Sequence, residues 1–177
     1  MDPKELLKIL SVASVLKTNI RHCYTEPGRK ESIADHSWRI ALMAMLLSAE
    51  EEFTGVDMNK VIRMCLIHDL GEAFTGDIPT FEKKGTDEKT EEQYFDKWVE
   101  GFPSRQREEW KSLLEEMKAL NSKEAKTYKA LDKLEAVISH NESDISTWLP
   151  LEYELQLTYG KEEVEFSAYF RQLKEQI

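Results

Sequence analysis

His68 and Asp69 stand side by side at the end of an apolar pattern, and that pair limits what the chain can fold into more than any other feature. Val61, Ile62, Cys65 and Leu66 repeat with helical spacing. His68 follows Cys65 by three and Val61 by seven, and Asp69 stands in the same relation to Leu66 and Ile62. Both are therefore expected to face the buried stripe. A carboxylate taken out of water without a partner is penalised by roughly several kcal/mol, so the fold must bring one to Asp69. A hydrogen bond between the two neighbours at a helix end would serve. So would a divalent cation, for which neutral imidazole and carboxylate are both good ligands.

Composition narrows the class. The 177 residues suffice for one domain with a sizeable core, and the hydrophobic share of 41% is that of a globular chain. A net charge of −10 argues against binding long nucleic acids, whose phosphates require a basic surface. No apolar window is long enough to span a membrane. Met1 to Glu5 begins with charge, and no signal peptide is expected there. Cys23 and Cys65 lie far apart with no CxxC pair, which favours reduced thiols and a cytoplasmic location.

Along the chain the expected elements are helices. Asp2-Pro3 starts the first, over 3–18, with Leu6, Leu10, Ala13 and Leu16 on one core face, widened by Leu7, Ile9, Val12 and Val15. Arg21 and His22 are expected where that helix gives way to a loop with a Pro27-Gly28 turn. From Lys17 to Arg39 there are five basic residues against three acidic ones, a locally cationic stretch in an acidic chain. Ser32 and Asp35 form a capping box for a helix to about residue 51, on which His36 shares a face with Ile40, Met43, Ala44 and Leu47. Asp57 caps the helix that ends at His68. Residues 77–90 read as a polar loop, followed by helices over 91–100 and 104–120 whose Tyr94, Phe95, Trp98, Trp110, Leu113 and Leu114 are expected in the core. Ser122 caps a helix to about His140, with Asp132 and Glu135 at the edge of its apolar stripe. Helices over 150–159, with Pro150 in its first turn, and 162–174 close the chain, separated by Gly160. No strand-like alternation is evident. The expectation is an all-α fold of seven or eight helices.

Three helices thus turn polar groups inward: His36, then His68 and Asp69, then Asp132. That order resembles the signature of HD-domain metal-dependent phosphohydrolases. The segments Glu31-Ser32-Ile33-Ala34-Asp35-His36-Ser37, His68-Asp69-Leu70-Gly71-Glu72, Thr75-Gly76-Asp77-Ile78-Pro79-Thr80 and Leu131-Asp132-Lys133-Leu134-Glu135 resemble the YfbR-like 5′-deoxynucleotidase branch, over about 16–135. The resemblance implies an HD-domain helical bundle, with 1–177 as a single HD domain completed by its C-terminal helices, and a homodimer. It implies one divalent metal (Co, Mn, Ni, Fe, Zn or Mg) on His36, His68, Asp69 and Asp132. Glu72, Asp77 and Arg21 become the catalytic residues: Glu72 as general base or orienting group, Asp77 as a second acid–base group, and Arg21 as the phosphate-orienting cation. Substrate contacts fall to Arg21, His22, Asp69, Asp77, Ile78, Pro79, Thr80 and Asp132. The pattern often has Trp directly after that Arg, where its bulk tests for the absence of a 2′-hydroxyl. Here the residue is His22, so strict preference for deoxyribose does not carry over.

The expected activity is metal-dependent hydrolysis of (deoxy)nucleoside 5′-monophosphates to nucleoside and phosphate, with the small-molecule nucleotide as partner and neither a nucleic acid polymer nor a membrane involved. Two other readings keep the same residues. One is an HD hydrolase of another small phosphoester such as an alarmone. The other is a helical interaction protein with a structural metal, for which Glu72, Asp77 and Arg21 would have no use.

Overall fold

Three helices build the centre of the fold, and each has an identifiable start. The computed structural model describes residues 1–177. The first helix of the centre, α2 (Ile33–Leu47), opens on a capping box in which Ser32 Oγ accepts from the Asp35 amide at 3.1 Å and Asp35 accepts from the Ser32 amide at 2.9 Å. Asp57 caps α3 (Met58–Ile67) and Ser122 caps α7 (Lys123–Glu142) by the same chemistry. These three pack on one another around Ile33, Ile40, Ala44, Val61, Met64, Cys65, Leu131 and Leu134, all of them buried. Around them lie α1 (Pro3–Ala13), α4 (Glu72–Thr75), α5 (Gly85–Glu100), α6 (Ser104–Ala119), α8 (Glu152–Thr158), α9 (Lys161–Val164) and α10 (Ala168–Gln176). Phe170 of α10 is fully buried, its ring 5.1 Å from that of Phe53. Phe95, Trp98, Phe102 and Trp110 interlock edge to face and join α5 to α6.

Eight helices have seven or more residues and two are single turns, as an all-α reading requires. Several local expectations fail for physical reasons. Residues 20–32 are not a loop. They form an antiparallel hairpin of β1 (Ile20–Glu26) and β2 (Arg29–Ser32), turned by Pro27 and Gly28 at φ +82°. Arg21 and His22 thus sit on a strand. That strand hides from a periodicity search because its single buried residue, Cys23, is flanked by half-buried polar Arg21 and His22, and its register with β2 is irregular. Ser143, just past the end of α7, pins it, accepting from the Tyr24 amide and donating to the Tyr24 carbonyl, each at 3.0 Å.

The first helix has the expected start but not the expected packing. Its capping box on Asp2 and Glu5 forms, yet no residue of α1 is buried, and Leu6, Leu7 and Leu10 are 46, 66 and 51% exposed. Ile9 and Ala13 touch the core while half-buried, and only Leu16, in the 3-10 turn that follows, is fully buried in it. Helix α5 begins at Gly85 because Asp87 accepts from the Lys84 amide at 2.9 Å, so the polar loop ends earlier than residue 90. Tyr94 on that helix is exposed, not core. Pro150 precedes α8 instead of opening it. The run 162–174 is broken in two, since Ser167 starts α10 afresh by accepting from the Phe170 amide at 3.1 Å. Gly160 does stop the chain as expected, at φ +76° and so close to α7 that a Cβ would lie 2.9 Å from Lys133 Cβ.

Candidate metal centre and cleft

The ends of α2, α3 and β1 and the middle of α7 converge on one point. His36 lies in the first turn of α2, placed by the Ser32 cap. His68 is the residue that ends α3, and Asp69 follows it in the turn. Asp69 comes inward because the helix stops there, not through helical phase: Leu66, its expected companion on the stripe, is half exposed. Asp132 reaches in from α7.

The two imidazoles are oriented from behind. His36 Nδ1 is bonded to Glu135, and His68 Nδ1 lies 2.9 Å from the Cys65 carbonyl. With Nδ1–H donated outward, each ring presents its Nε2 lone pair inward, and both Nε2 atoms are buried with no hydrogen-bond partner. Asp69 Oδ2 stands 3.0 Å from His68 Nε2 and 3.8 Å from His36 Nε2, and Asp132 Oδ1 stands 3.3 and 3.7 Å from His36 and His68 Nε2. Two orphaned imidazole nitrogens facing two carboxylate oxygens are a donor set that fits a divalent first-row cation. Electrostatics agree. Burial pushes the His68 cation down, but Asp69 and Asp132 outweigh it and lift His68 to about 10. The cluster draws in positive charge, which a bound divalent ion supplies while leaving the rings neutral.

Glu31 and Glu135 form a second carboxylate pair around His36, but their oxygens are already engaged. Glu135 Oε1 accepts from Arg39 Nε at 2.7 Å while Oε2 holds His36. Glu31 pairs with Arg21 Nε at 3.0 Å and accepts from Ser139 Oγ at 2.7 Å. Asp132 turns its other oxygen to Lys129, 2.9 Å away.

Arg21 lies beside this cage. Its other edge faces Asp69, with Nη1 to Oδ2 at 3.6 Å. Burial disfavours the guanidinium charge, but Asp69, Glu31, Glu135 and Asp77 outweigh it and keep it a cation. Glu72 opens α4, separated from α3 by a turn, and is 4% exposed rather than a solvated helix end. Burial, with Asp69, Asp77 and Glu91 nearby, pushes it up to about 10 against one distant cation, Lys83 at 3.7 Å. Burial raises Asp77 too, more than Arg21 lowers it.

A cleft opens from Arg21 and Asp77 along His22, Pro79 and Thr80. Ile78 lies in the same loop but does not line it. The far wall was not anticipated from the sequence: Phe81, His140, Glu152, Gln156 and Tyr159. No linear pattern marks them, since they come together only when α8 folds across the hairpin.

The profile of the HD domain matches residues 13–174. The chain belongs to the HD-domain family. Within it, this HD-domain protein is 31% identical over 143 residues to the 5′-deoxynucleotidase HDDC2 of Homo sapiens, covering 78% of this chain and 68% of that one. A metal-dependent phosphohydrolase from Magnetospirillum magnetotacticum, so described as predicted, superposes with a TM-score of 0.78 at 29% identity, covering 98% of this chain and 91% of that one. A conserved hypothetical protein from Pyrococcus furiosus gives 0.73 at 28% identity, covering 96 and 97%.

The raised Glu72 has a consequence for stability. In the unfolded chain it ionises near 4.5, in the folded chain only near 10. Between those values the unfolded state binds fewer protons, so this residue's contribution to stability is complete below about pH 4.5 and is lost as pH rises through that window. Glu72→Gln in chelator is expected to raise the melting temperature by at least about 2–4 °C at pH 8, roughly 1 kcal/mol, and to leave it unchanged at pH 4. A difference that does not depend on pH would contradict the assignment.

Proposed function

We propose that this HD-domain protein is a metal-dependent phosphomonoesterase that hydrolyses (deoxy)nucleoside 5′-monophosphates to nucleoside and inorganic phosphate. The observation that carries the reading is the pair of orphaned Nε2 atoms facing Asp69 and Asp132, with the Arg21 cation beside them and a cleft leading away. The names of its relatives, a 5′-deoxynucleotidase and a metal-dependent phosphohydrolase, support it. His36, His68, Asp69 and Asp132 would hold one divalent ion, Mn, Co, Ni, Fe, Zn or Mg. When bound, such an ion polarises a phosphoryl oxygen and makes coordinated water acidic.

The protein's own groups do the rest. Arg21, locked by Glu31, binds the phosphate dianion and balances the charge that builds on it. Glu72, behind Asp69, orients the attacking water and exchanges its proton. Asp77, lining the cleft, delivers a proton to the leaving 5′-oxygen as the phosphorus–oxygen bond breaks. Burial and neighbouring acids raise both carboxyls, which keeps a proton on Asp77 for the leaving oxygen, and a cation held beside Asp69 would lower Glu72 toward the range in which it can accept one. Asp77, Pro79 and Thr80 contact the substrate along the cleft wall, with Ile78 supporting the loop.

The 177 residues are read as a single HD domain, with α10 completing the bundle on Phe53. A second copy of the chain is the proposed partner, on the exposed Leu6, Leu7 and Leu10 of α1, a helix with no buried side chain of its own. The cytoplasm is the proposed location, on two buried free cysteines. No helix is long and apolar enough to cross a membrane.

Phosphate release from a panel of nucleoside 5′-monophosphates should require added metal, vanish in chelator and in Asp69→Ala, and fall about 10²-fold or more in Arg21→Ala. Release that persists in chelator, or none from any nucleotide, would sink the reading. Leu7→Glu with Leu10→Glu is expected to halve the mass measured by light scattering, whereas a monomeric wild type would remove the dimer.

A further inference from the structure

At the far end of the cleft lies a second buried polar cluster that the metal chemistry does not use. Glu152 is 3% exposed. Its Oε1 pairs with His22 Nε2 at 3.0 Å, and its Oε2 accepts from the Leu149 amide at 2.6 Å. His140, 7% exposed with its ring tilted against that of Trp148 at 4.3 Å, brings its Nε2 to within 3.6 Å of that same Oε2. That distance is too long for a hydrogen bond, and His140 Nε2 has no other partner. Three elements, β1, α7 and α8, therefore each contribute one polar group to a single spot on the cleft wall.

Fixing α8 to the hairpin does not require this arrangement. Apolar side chains would tie the two together without desolvating a carboxylate and leaving an imidazole nitrogen unpaired. The cluster makes physical sense if a ligand group that both donates and accepts hydrogen bonds arrives there. Its place in the cleft says which group. His22 is the next residue along the strand from Arg21, the phosphate-binding cation, and both line the same cleft. When a nucleotide's phosphate lies at Arg21, the part covalently next to it is the sugar. A sugar hydroxyl donates to a carboxylate and accepts from an imidazole N–H, and acidic side chains serve this purpose in other nucleotide-binding folds.

We propose that Glu152, with His22 and His140, forms a hydroxyl-recognition subsite that takes the ribose 2′-hydroxyl of the substrate, so that Glu152 sets the balance between ribo- and deoxyribonucleotides. This rests on the nucleotidase reading above. Because Glu152 and His22 already satisfy one another when no hydroxyl is present, a deoxyribose is accepted as well. The added hydroxyl is an extra bond to a charged acceptor rather than an absolute requirement.

The test compares kcat/KM for AMP and dAMP in the metal-loaded full chain, for wild type, Glu152→Ala and Glu152→Gln. Wild type should hydrolyse both. In Glu152→Ala the AMP to dAMP ratio should fall about tenfold, chiefly through the KM for AMP, which matches the loss of one charge-assisted hydrogen bond. Glu152→Gln keeps the shape and an acceptor oxygen, so its ratio should fall by a smaller factor; it decides the matter if the Ala variant does not fold. A ratio unchanged within twofold in both variants would overturn the subsite while leaving the nucleotidase reading intact. So would a wild type that turns over dAMP and refuses AMP. Silence of the wild type on both nucleotides would remove the underlying reading itself.

Discussion

The structure depends on how two buried imidazoles are held from behind. Each spends its Nδ1 on an acceptor supplied by the fold, Glu135 for His36 and the Cys65 carbonyl for His68. That leaves Nε2 of both rings fixed in direction toward Asp69 and Asp132. Without those outer bonds the rings could flip, and the carboxylates would lose the fixed nitrogens that face them across a low-dielectric gap. The convergence of α2, α3 and α7 brings these groups to one point, so the packing of the core and the chemistry of the centre are one arrangement.

The same economy extends outward. Glu135 serves two donors, His36 and Arg39. Glu31 serves Arg21, Cys23 and Ser139. Arg21 is thereby gripped on one edge and free on the other to face Asp69 and the cleft. A buried guanidinium held in this way has lost its conformational freedom before any substrate arrives, which is what makes a positioned cation effective on a phosphate. Glu72 lies at the opposite extreme. It is buried among like charges with one lysine 3.7 Å away, a strained placement that the proposed proton transfer would put to use.

How much of this could be read from the sequence follows from which forces act locally. Caps are local, and Ser32, Asp57 and Ser122 start their helices as their side chains dictate. The inward faces carrying His36 and Asp132 follow from helical period and an apolar stripe, so they too were legible. Asp69 was expected inside for a reason that does not hold, since helix termination and not phase turns it in. The hairpin was missed because Arg21, His22 and Glu31 are polar where a half-buried strand would usually be apolar. The α1 stripe has all the periodicity of a core helix, and periodicity records that a face is apolar without recording what covers it. The wall formed by His140, Glu152 and Tyr159 was invisible for another reason: it is made by contacts between residues more than a hundred positions from His22, or between helices whose joining turn carries no motif.

His36, His68, Asp69 and Asp132 are proposed to act together on one divalent ion. Titrating Mn2+ into chelator-stripped protein, followed by calorimetry, tests it most directly. One ion per chain is expected in the wild type, with loss of that site in both His36→Ala and Asp132→Ala, each variant still folded by circular dichroism. Saturation with no ion bound, or binding that survives both substitutions, would contradict it.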